Sequence, residues 1–390
     1  METSNKPLIM LLDGDNTHTL QVAAELYQDL KVNIIGVGSR CNSMLLRSRH
    51  ILIKELAPPS SSGEYAATLL DLAEKHQPDM ILPVGFRSVA AVSSLRSSFP
   101  KHVRYCLPSE DVLSMAFDKS KVLELAAQLG IKTPKDYTDL FNEQIILRES
   151  ENILEEVPYP VFLKAAHEKG KNLIYRVDTP GTFWPSYKKL REASDNDLVL
   201  VQEYVDGNEH TYGSGLLYLN GKLLLQFSHD EIRSIPRLGG SGTRLRIFPE
   251  PVLEQQSRNL LEAMGWEGQA LVEFKLNQAG EYVLMEINPK FWASYPLASK
   301  SGYRFATWMV CRTLELPDPP PQKVRKSGVM VFPYRELLFS YQNGESMLKS
   351  LGAMLWPPAR LDLNLDDPLP WLPERFYNKF ALNRGKPFKG

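Results

Sequence analysis

Residues 271–292, LVEFKLNQAGEYVLMEINPKFW, leave the chain few options. Two apolar-rich runs flank a turn at Gln278–Gly280, which reads as an antiparallel hairpin. Glu286 and Asn288 are two positions apart and so project from one strand face, and the returning strand can set Glu273 opposite them. Glu286 lies inside VLMEINP, a setting where an unpaired carboxylate is costly, which argues against a surface hairpin bearing ordinary solvated acids. Two carboxylates and an amide oxygen on one side form a hard, all-oxygen site that suits Mg2+ carrying phosphates.

A nucleotide held by such an ion needs cations for its phosphates and an apolar slot for its base. Lys164 closes the apolar strand YPVFLKAA and Lys119 opens a helix in FDKSK, so both are placed to reach phosphate oxygens, although either alone reads as a solvent-facing lysine. The strand LVLVQEYVDGNEH breaks at Asp206–Gly207; backbone at Glu203 and Val205 suits the amino edge of adenine, and Glu209 the ribose hydroxyls. A further segment, SHDEIRSIPRLGGSGTRLRIF, reads as a loop that sets Arg233, Arg237, Arg244 and Arg246 around Gly239–Gly242. Arginines grip carboxylate or phosphate in a fork and glycines let backbone N–H groups approach an anion, the plain alternative being a loop of surface arginines.

The first 110 or so residues alternate strand and helix signals. PLIMLLD, KVNIIGVGS, DMILPVG and VRYCLPS read as strands; TLQVAAELYQDL and EYAATLLDLAEKH read as helices. This implies a parallel sheet covered by helices, with ligands at the carboxyl ends of strands, where Asp13, Gly36–Gly38 and Gly85 fall. GVGSRC has Cys41 at the third glycine position of G-x-G-x-x-G, so it is a weak dinucleotide site. Ser109 and Asp118 read as helix caps, with Gly130 and Pro134 ending the second helix. Strands and helices group from about residue 145, so that half is α+β. LPDPPPQKVRKSG is a proline-rich connector. The expected organisation is an α/β domain over 1–115, an α+β module over 116–315 with a lid at about 134–205, and a small C-terminal extension over 316–390.

The opening IMLLDGDNTHTL also carries D-x-D-x-T, the pattern in which haloacid-dehalogenase-type phosphatases present a nucleophilic aspartate, here Asp13. Asp366 and Asp367 offer the late acidic pair of such an enzyme. That reading leaves Glu273, Glu286 and Asn288 without a task, so Asp13 is better read as a strand-end residue lining the substrate side of a cleft.

Lys plus Arg is 45 and Asp plus Glu is 46, a balance that advertises no nucleic-acid or anionic-membrane surface. Cys41, Cys106 and Cys311 are scattered, suggest no disulfide framework, and read as small core residues of a protein in a reducing cytoplasm. The apolar run at the start is too short for a signal peptide, and none approaches the roughly 18 residues of a membrane helix.

The order Lys119, Lys164, QEYV, Glu273, Glu286-x-Asn288 resembles the ATP-grasp superfamily over roughly residues 110–315. That group includes D-alanine–D-alanine ligase, biotin carboxylase and the carbamoyl-phosphate synthetase large chain, and the α/β region here is similar to the domain that precedes such modules. EINPKFWASYPLASKSGY resembles the E-x-N-P-R segment of the carbamoyl-phosphate synthetase-like branch. The resemblance implies two Mg2+ ions (Mn2+ able to substitute) on Glu273, Glu286 and Asn288, lysines 119 and 164 on the α- and β-phosphates of ATP, and adenine held along Glu203, Tyr204 and Val205. It further implies a carboxylate–amine ligase acting through an acyl phosphate, with Lys290 and Arg244 on the transferring group and Arg233 on the acid. Small-molecule carboxylate and amine substrates and a homodimer follow as expectations. Two departures stand out: KAAHEKGKNLIY has only Gly170 where a glycine-rich loop is usual, leaving His167, Lys169 or Lys171 to stand in, and Lys290 replaces an arginine. Alternatives are a carboxy- or carbamoyl-phosphate-forming enzyme and a nucleotide-binding regulatory module.

Overall fold

The computed structural model describes residues 6–166, 174–193, 198–237, 240–355 and 360–373. The chain begins with β1 (Leu8–Leu11), α1 (Thr17–Leu30), β2 (Asn33–Gly38), β3 (Ile53–Leu56), α2 (Tyr65–His76), β4 (Met80–Leu82) and α3 (Phe86–Ser94). The strands form a parallel sheet in the order β3-β2-β1-β4. Its centre is apolar on both faces, with Ile9, Met10, Leu11, Met80 and Ile81 fully buried, as a helix-covered parallel sheet requires. Two expectations change. VRYCLPS contributes only an isolated bridge, Arg104 to Met80, and the fourth strand is instead β3. β3 escapes a periodicity reading because it is an edge strand whose Lys54 and Leu56 face outward.

α4 (Glu110–Phe117) and α5 (Lys119–Gln128) lead out of this sheet. Ser109 accepts the Val112 N–H at 3.4 Å, and Asp118 accepts the N–H groups of Ser120 and Lys121 at 3.1 and 3.4 Å, satisfying first-turn donors. The Asp118 cap fixes Lys119 as the first helical residue and so its aim. A small unit follows: α6 (Glu143–Arg148), β5 (Val161–Ala165), β6 (Ile174–Val177), α7 (Phe183–Ala193) and β7 (Val199–Glu203), with an antiparallel sheet ordered β6-β5-β7. It has its own aromatic core, where Phe141 stacks on Phe183 at 4.8 Å beside Trp184 and Tyr187.

The remaining strands build one seven-stranded sheet, β12-β11-β8-β9-β10-β13-β14. Its elements are β8 (Thr211–Leu219), β9 (Lys222–Ile235), β10 (Ser241–Ile247), α8 (Pro251–Ala263), β11 (Gly268–Leu276), β12 (Tyr282–Asn288), α9 (Tyr295–Lys300), α10 (Phe305–Thr313), β13 (Val329–Val331), α11 (Pro333–Gln342), α12 (Met347–Leu355) and β14 (Arg360–Leu361). β8 turns into β9 at Asn220–Gly221, both left-handed (φ 54° and 70°), which suits a two-residue hairpin. SHDEIRSIPRLGGSGTRLRIF is therefore not a loop: β9 runs on to Ile235 and β10 starts at Ser241, with 238–239 outside the described residues. The segment after 316 is not a separate extension either. β13 pairs antiparallel with β10, and β14 pairs parallel with β13.

Buried Glu25 of α1 joins the two halves. Its carboxylate accepts the Tyr295 hydroxyl at 2.6 Å, the Thr307 N–H at 3.0 Å and the Ser299 hydroxyl, tying α1 to α9 and α10. Cys106 and Cys311 are buried as expected, whereas Cys41 is exposed. Among the described residues no helix is long and apolar enough to cross a membrane.

Candidate active site

The hairpin acids meet. Glu273 and Glu286 are paired residues of β11 and β12, and a register shift follows Glu273. Asn288 Nδ2 donates to Glu273 Oε2 at 2.7 Å and to Glu286 Oε1 at 3.0 Å. Lys119 Nζ stands 3.4 Å from Glu286 Oε2. Burial and the adjacent Glu286 push Glu273 well above the usual carboxylate range. Burial acts the same way on Glu286, but Lys119, hydrogen bonds from Glu273 and Asn288, and Lys164 outweigh it and hold it at about 2. The two acids are thus driven apart, Glu273 toward its neutral form and Glu286 toward its charged form.

Among the described residues no group of three or more His, Cys, Asp or Glu side chains is placed to hold a metal ion. The hairpin set has two acids and an amide, short of the octahedral oxygen shell that Mg2+ demands. It fits a cation that arrives with further oxygens of its own, as one bound to a polyphosphate does.

Two cavities open onto these acids. One, of about 430 Å³, lies between the small antiparallel sheet and the large sheet. Phe162, Lys164, Tyr204, Val205 and Glu209 line it. Lys164 is only 6% exposed, and its charge helps to hold Glu286 down. Glu203 is not among the residues that line it, and its N–H is engaged by the Lys135 carbonyl at 2.9 Å. Glu209 pairs with Arg237 at 2.7 Å. Sequence reasoning missed two residues of this cavity, Glu231 and Lys275. Glu231 is a buried acid in what had read as a loop, and it also raises Glu273. Burial lowers Lys275, with Glu231 and Glu273 opposing.

The second cavity, of about 450 Å³, lies at the carboxyl ends of the parallel strands. Asp13, Gly38 and Gly85 form its wall on that side; Lys119, Glu286 and Lys290 face them. Glu286, Asn288 and Lys290 line both cavities. Lys290 has no ion pair or hydrogen bond among the described residues, and its charge acts on Glu273 where the cavities join.

Asp13 is built as a brace. It is a non-glycine residue at φ 62°, and Oδ2 accepts the N–H groups of Gly85 at 2.7 Å and Val84 at 3.0 Å, together with the Ser88 hydroxyl. Asp15 is likewise engaged, by the Ser39 N–H at 2.9 Å, Ser43 Oγ at 2.6 Å and Arg40. Asp367 accepts the Arg49 N–H at 3.2 Å and the Ser48 hydroxyl, and it lines neither cavity. The phosphatase geometry is absent from this set of described residues.

Arg233 and Arg244 are placed differently from expectation. They are partners across β9 and β10, and both converge on Glu336 of α11, at 3.0 and 2.8 Å. Glu336 is fully buried, and Thr243 Oγ1 donates to its other oxygen at 2.7 Å. A buried carboxylate demands such partners, and neither arginine lines either cavity. Arg246 pairs with Asp230. His167, Lys169, Gly170 and Lys171 lie outside the described residues.

Residues 233–312 match the family described as "Carbamoyl-phosphate synthase L chain, ATP binding domain". A carbamoyl phosphate synthase large chain of Thermoanaerobacter sp. is 22% identical over 243 residues, covering 60% of this chain and 22% of that protein. A chloroplastic biotin carboxylase of Populus trichocarpa is 22% identical over 254 residues, covering 62% of this chain and 47% of the relative. The chain thus spans about a fifth to a half of these relatives. Among solved structures, a biotin carboxylase from Campylobacter jejuni in complex with β-γ-ATP superposes with a TM-score of 0.66 at 16% identity, covering 82% of this chain and 74% of the other. The biotin carboxylase domain dimer of the Hydrogenobacter thermophilus 2-oxoglutarate carboxylase, in complex with MgADP, ADP and bicarbonate, gives 0.65 at 17% identity over 82% and 73%. These likenesses establish the fold.

Proposed function

We infer that this chain, an ATP-grasp protein, is an ATP-dependent ligase that activates a carboxylate and passes it to an amine. The observation that carries the reading is the junction: two cavities of similar size share Glu286, Asn288 and Lys290, so a nucleotide in one and an acid in the other would meet there. ATP enters the cavity of Lys164, with its base against Tyr204 and Val205 and its ribose near Glu209. Lys164 and Lys119 position the phosphates. Glu273, Glu286 and Asn288 would hold Mg2+, as two ions in the arrangement the family resemblance implies. When bound, Mg2+ neutralises phosphate charge and keeps the terminal phosphoryl group in line for transfer.

The acid lies in the other cavity, its carboxylate toward Lys290. A carboxylate oxygen bonds to the γ-phosphorus as the bond to the β-γ bridging oxygen breaks, giving an acyl phosphate and ADP. Lys290, in no ion pair among the described residues, would stabilise the charge on the transferring group. A neutral amine then attacks the acyl carbon, phosphate leaves, and the amine releases a proton. No side-chain nucleophile is needed. Bicarbonate, named with the Hydrogenobacter domain, would fill little of a cavity of about 450 Å³, which favours a larger acid here.

The test is an ADP-release screen over small carboxylates and amino acids, with hydroxylamine as the trapping amine and mass detection of hydroxamate. Acid-dependent ADP release with matching hydroxamate supports the reading. ATP binding without turnover under any acid would make the chain a nucleotide-binding module instead.

A further inference from the structure

We propose that the acid seated in the strand-end cavity carries a second carboxylate, held by Arg87 with the Tyr65 hydroxyl beside it. The proposal rests on the ligase reading for the first carboxylate and goes beyond it in naming the substrate class. Both residues line this cavity, on the wall opposite Lys119, Glu286 and Lys290. Arg87 stands in the first turn of α3, partly buried, and has no ion pair, hydrogen bond or ring contact among the described residues.

The acids nearest to hand on that wall are already engaged. Asp13 holds Val84, Gly85 and Ser88, and Asp15 holds Ser39, Ser43 and Arg40. On the facing wall Lys119 belongs to Glu286, while Lys290 has no ion pair or hydrogen bond among the described residues and acts by charge on Glu273. The cavity therefore presents two cations, one on each wall, that no ion pair or hydrogen bond among the described residues engages, and a single carboxylate reaches only one of them.

Tyr65 supplies the second observation. The residue is 5% exposed, and its hydroxyl has no hydrogen-bond partner among the described residues; the oxygen is not fully buried, so what exposure it has is to the cavity it lines, where it is free to donate to a bound group. Burial, with Asp13 behind it, raises this hydroxyl far above the usual phenol range, so it remains a donor. A guanidinium fork and a phenol donor suit the two oxygens of a carboxylate. Asp13 and Asp15 on the same wall would repel a phosphate dianion more than a single negative charge.

The probes are succinate, glutarate and adipate, each set against its monomethyl ester and the straight-chain monocarboxylate of equal length. Binding is measured calorimetrically, without nucleotide and with MgADP. At least one dicarboxylate should bind tenfold or more tightly than its monoanionic counterparts. Arg87→Ala should remove that preference, Arg87→Lys should restore part of it, and Tyr65→Phe should weaken the dicarboxylate several-fold. The thermal shift caused by ATP serves as the folding control. Equal binding of mono- and dicarboxylates, no binding of any probe, or a preference that survives Arg87→Ala would overturn the proposal. The two readings fail separately. Dicarboxylate binding through Arg87 with no ADP release removes the ligase and leaves the site. ADP release with monocarboxylates that ignores Arg87 leaves the ligase and removes the site.

Discussion

Glu273 and Glu286 face each other across β11 and β12, near enough for the one Asn288 amide nitrogen to donate to both. Two carboxylates held this way cannot both ionise at little cost: burial and Glu286 push Glu273 up, while Lys119 and Lys164 hold Glu286 down. A divalent ion would relieve that conflict with two positive charges. The pair is an unfavourable arrangement for a protein with nothing to bind and a suitable one for a cation carried by phosphates.

Glu286→Gln keeps the size and removes the charge. Mg2+-dependent ATP turnover should fall by at least a hundredfold, and the urea midpoint should move little, because the cost of burying the charge disappears together with the attraction to Lys119 and Lys164. Near-normal turnover in this variant would remove the hairpin from the reaction.

Arg244→Ala should act on stability rather than on chemistry. It leaves the buried Glu336 with Arg233 and Thr243 alone, a loss of about 3 kcal/mol, the low end for removing one partner of a buried ion pair because Arg233 stays. Adding Glu336→Gln should recover part of it, a coupling that urea melts of the two single variants and the double variant would measure. A hundredfold lower kcat with unchanged stability would instead bring Arg244 into the reaction.

Asp13→Asn should leave ATP binding intact, because Asp13 braces the turn between β4 and α3 and does not line the cavity of Lys164. Affinity for the acid should drop, since Gly85 and Arg87 on the cavity wall lose their support. Intact-mass analysis after incubation with ATP should find no added phosphate. A phospho-aspartate at this position would reinstate the phosphatase reading.

Asp362 predicts a pH dependence. Burial raises it from 3.8 to about 6, with Lys300 and Arg335 acting against the rise. The folded protein therefore binds this proton more tightly than the unfolded chain. The resulting stabilisation is complete below about pH 4 and is lost as pH rises through 6, by about 3 kcal/mol for a shift of this size. Asp362→Asn removes the titration, so the stability difference between variant and wild type should move in the variant's favour between pH 4.5 and 7.5. A difference that stays flat across that range would refute the assignment.

The hairpin was legible because its signals are local: strand runs of ordinary length, a turn between them, and acids two apart within an apolar stretch. The caps at Ser109 and Asp118 were legible for the same reason. What was lost depends on distant partners. Nothing near Arg233 or Arg244 announces Glu336, which lies 103 and 92 positions away. The N–H of Glu203 is engaged by Lys135, a contact between β7 and the chain ahead of α6 that no local pattern encodes. β13 and β14 span three and two residues, too short for any periodicity, so a stretch rich in proline and tryptophan read as an appendage.

That last strand pair has a consequence for synthesis. β10 is made about 80 residues before its outer neighbour, since β13 begins at Val329 and β14 at Arg360. Until then its outer edge is an open row of N–H and C=O groups, a template for any other strand in reach. The late segment is thus a cover for an adhesive margin. A chain halted before Val329 would keep the hairpin acids and both cavity walls at the strand ends, and it would be lost by pairing with its neighbours.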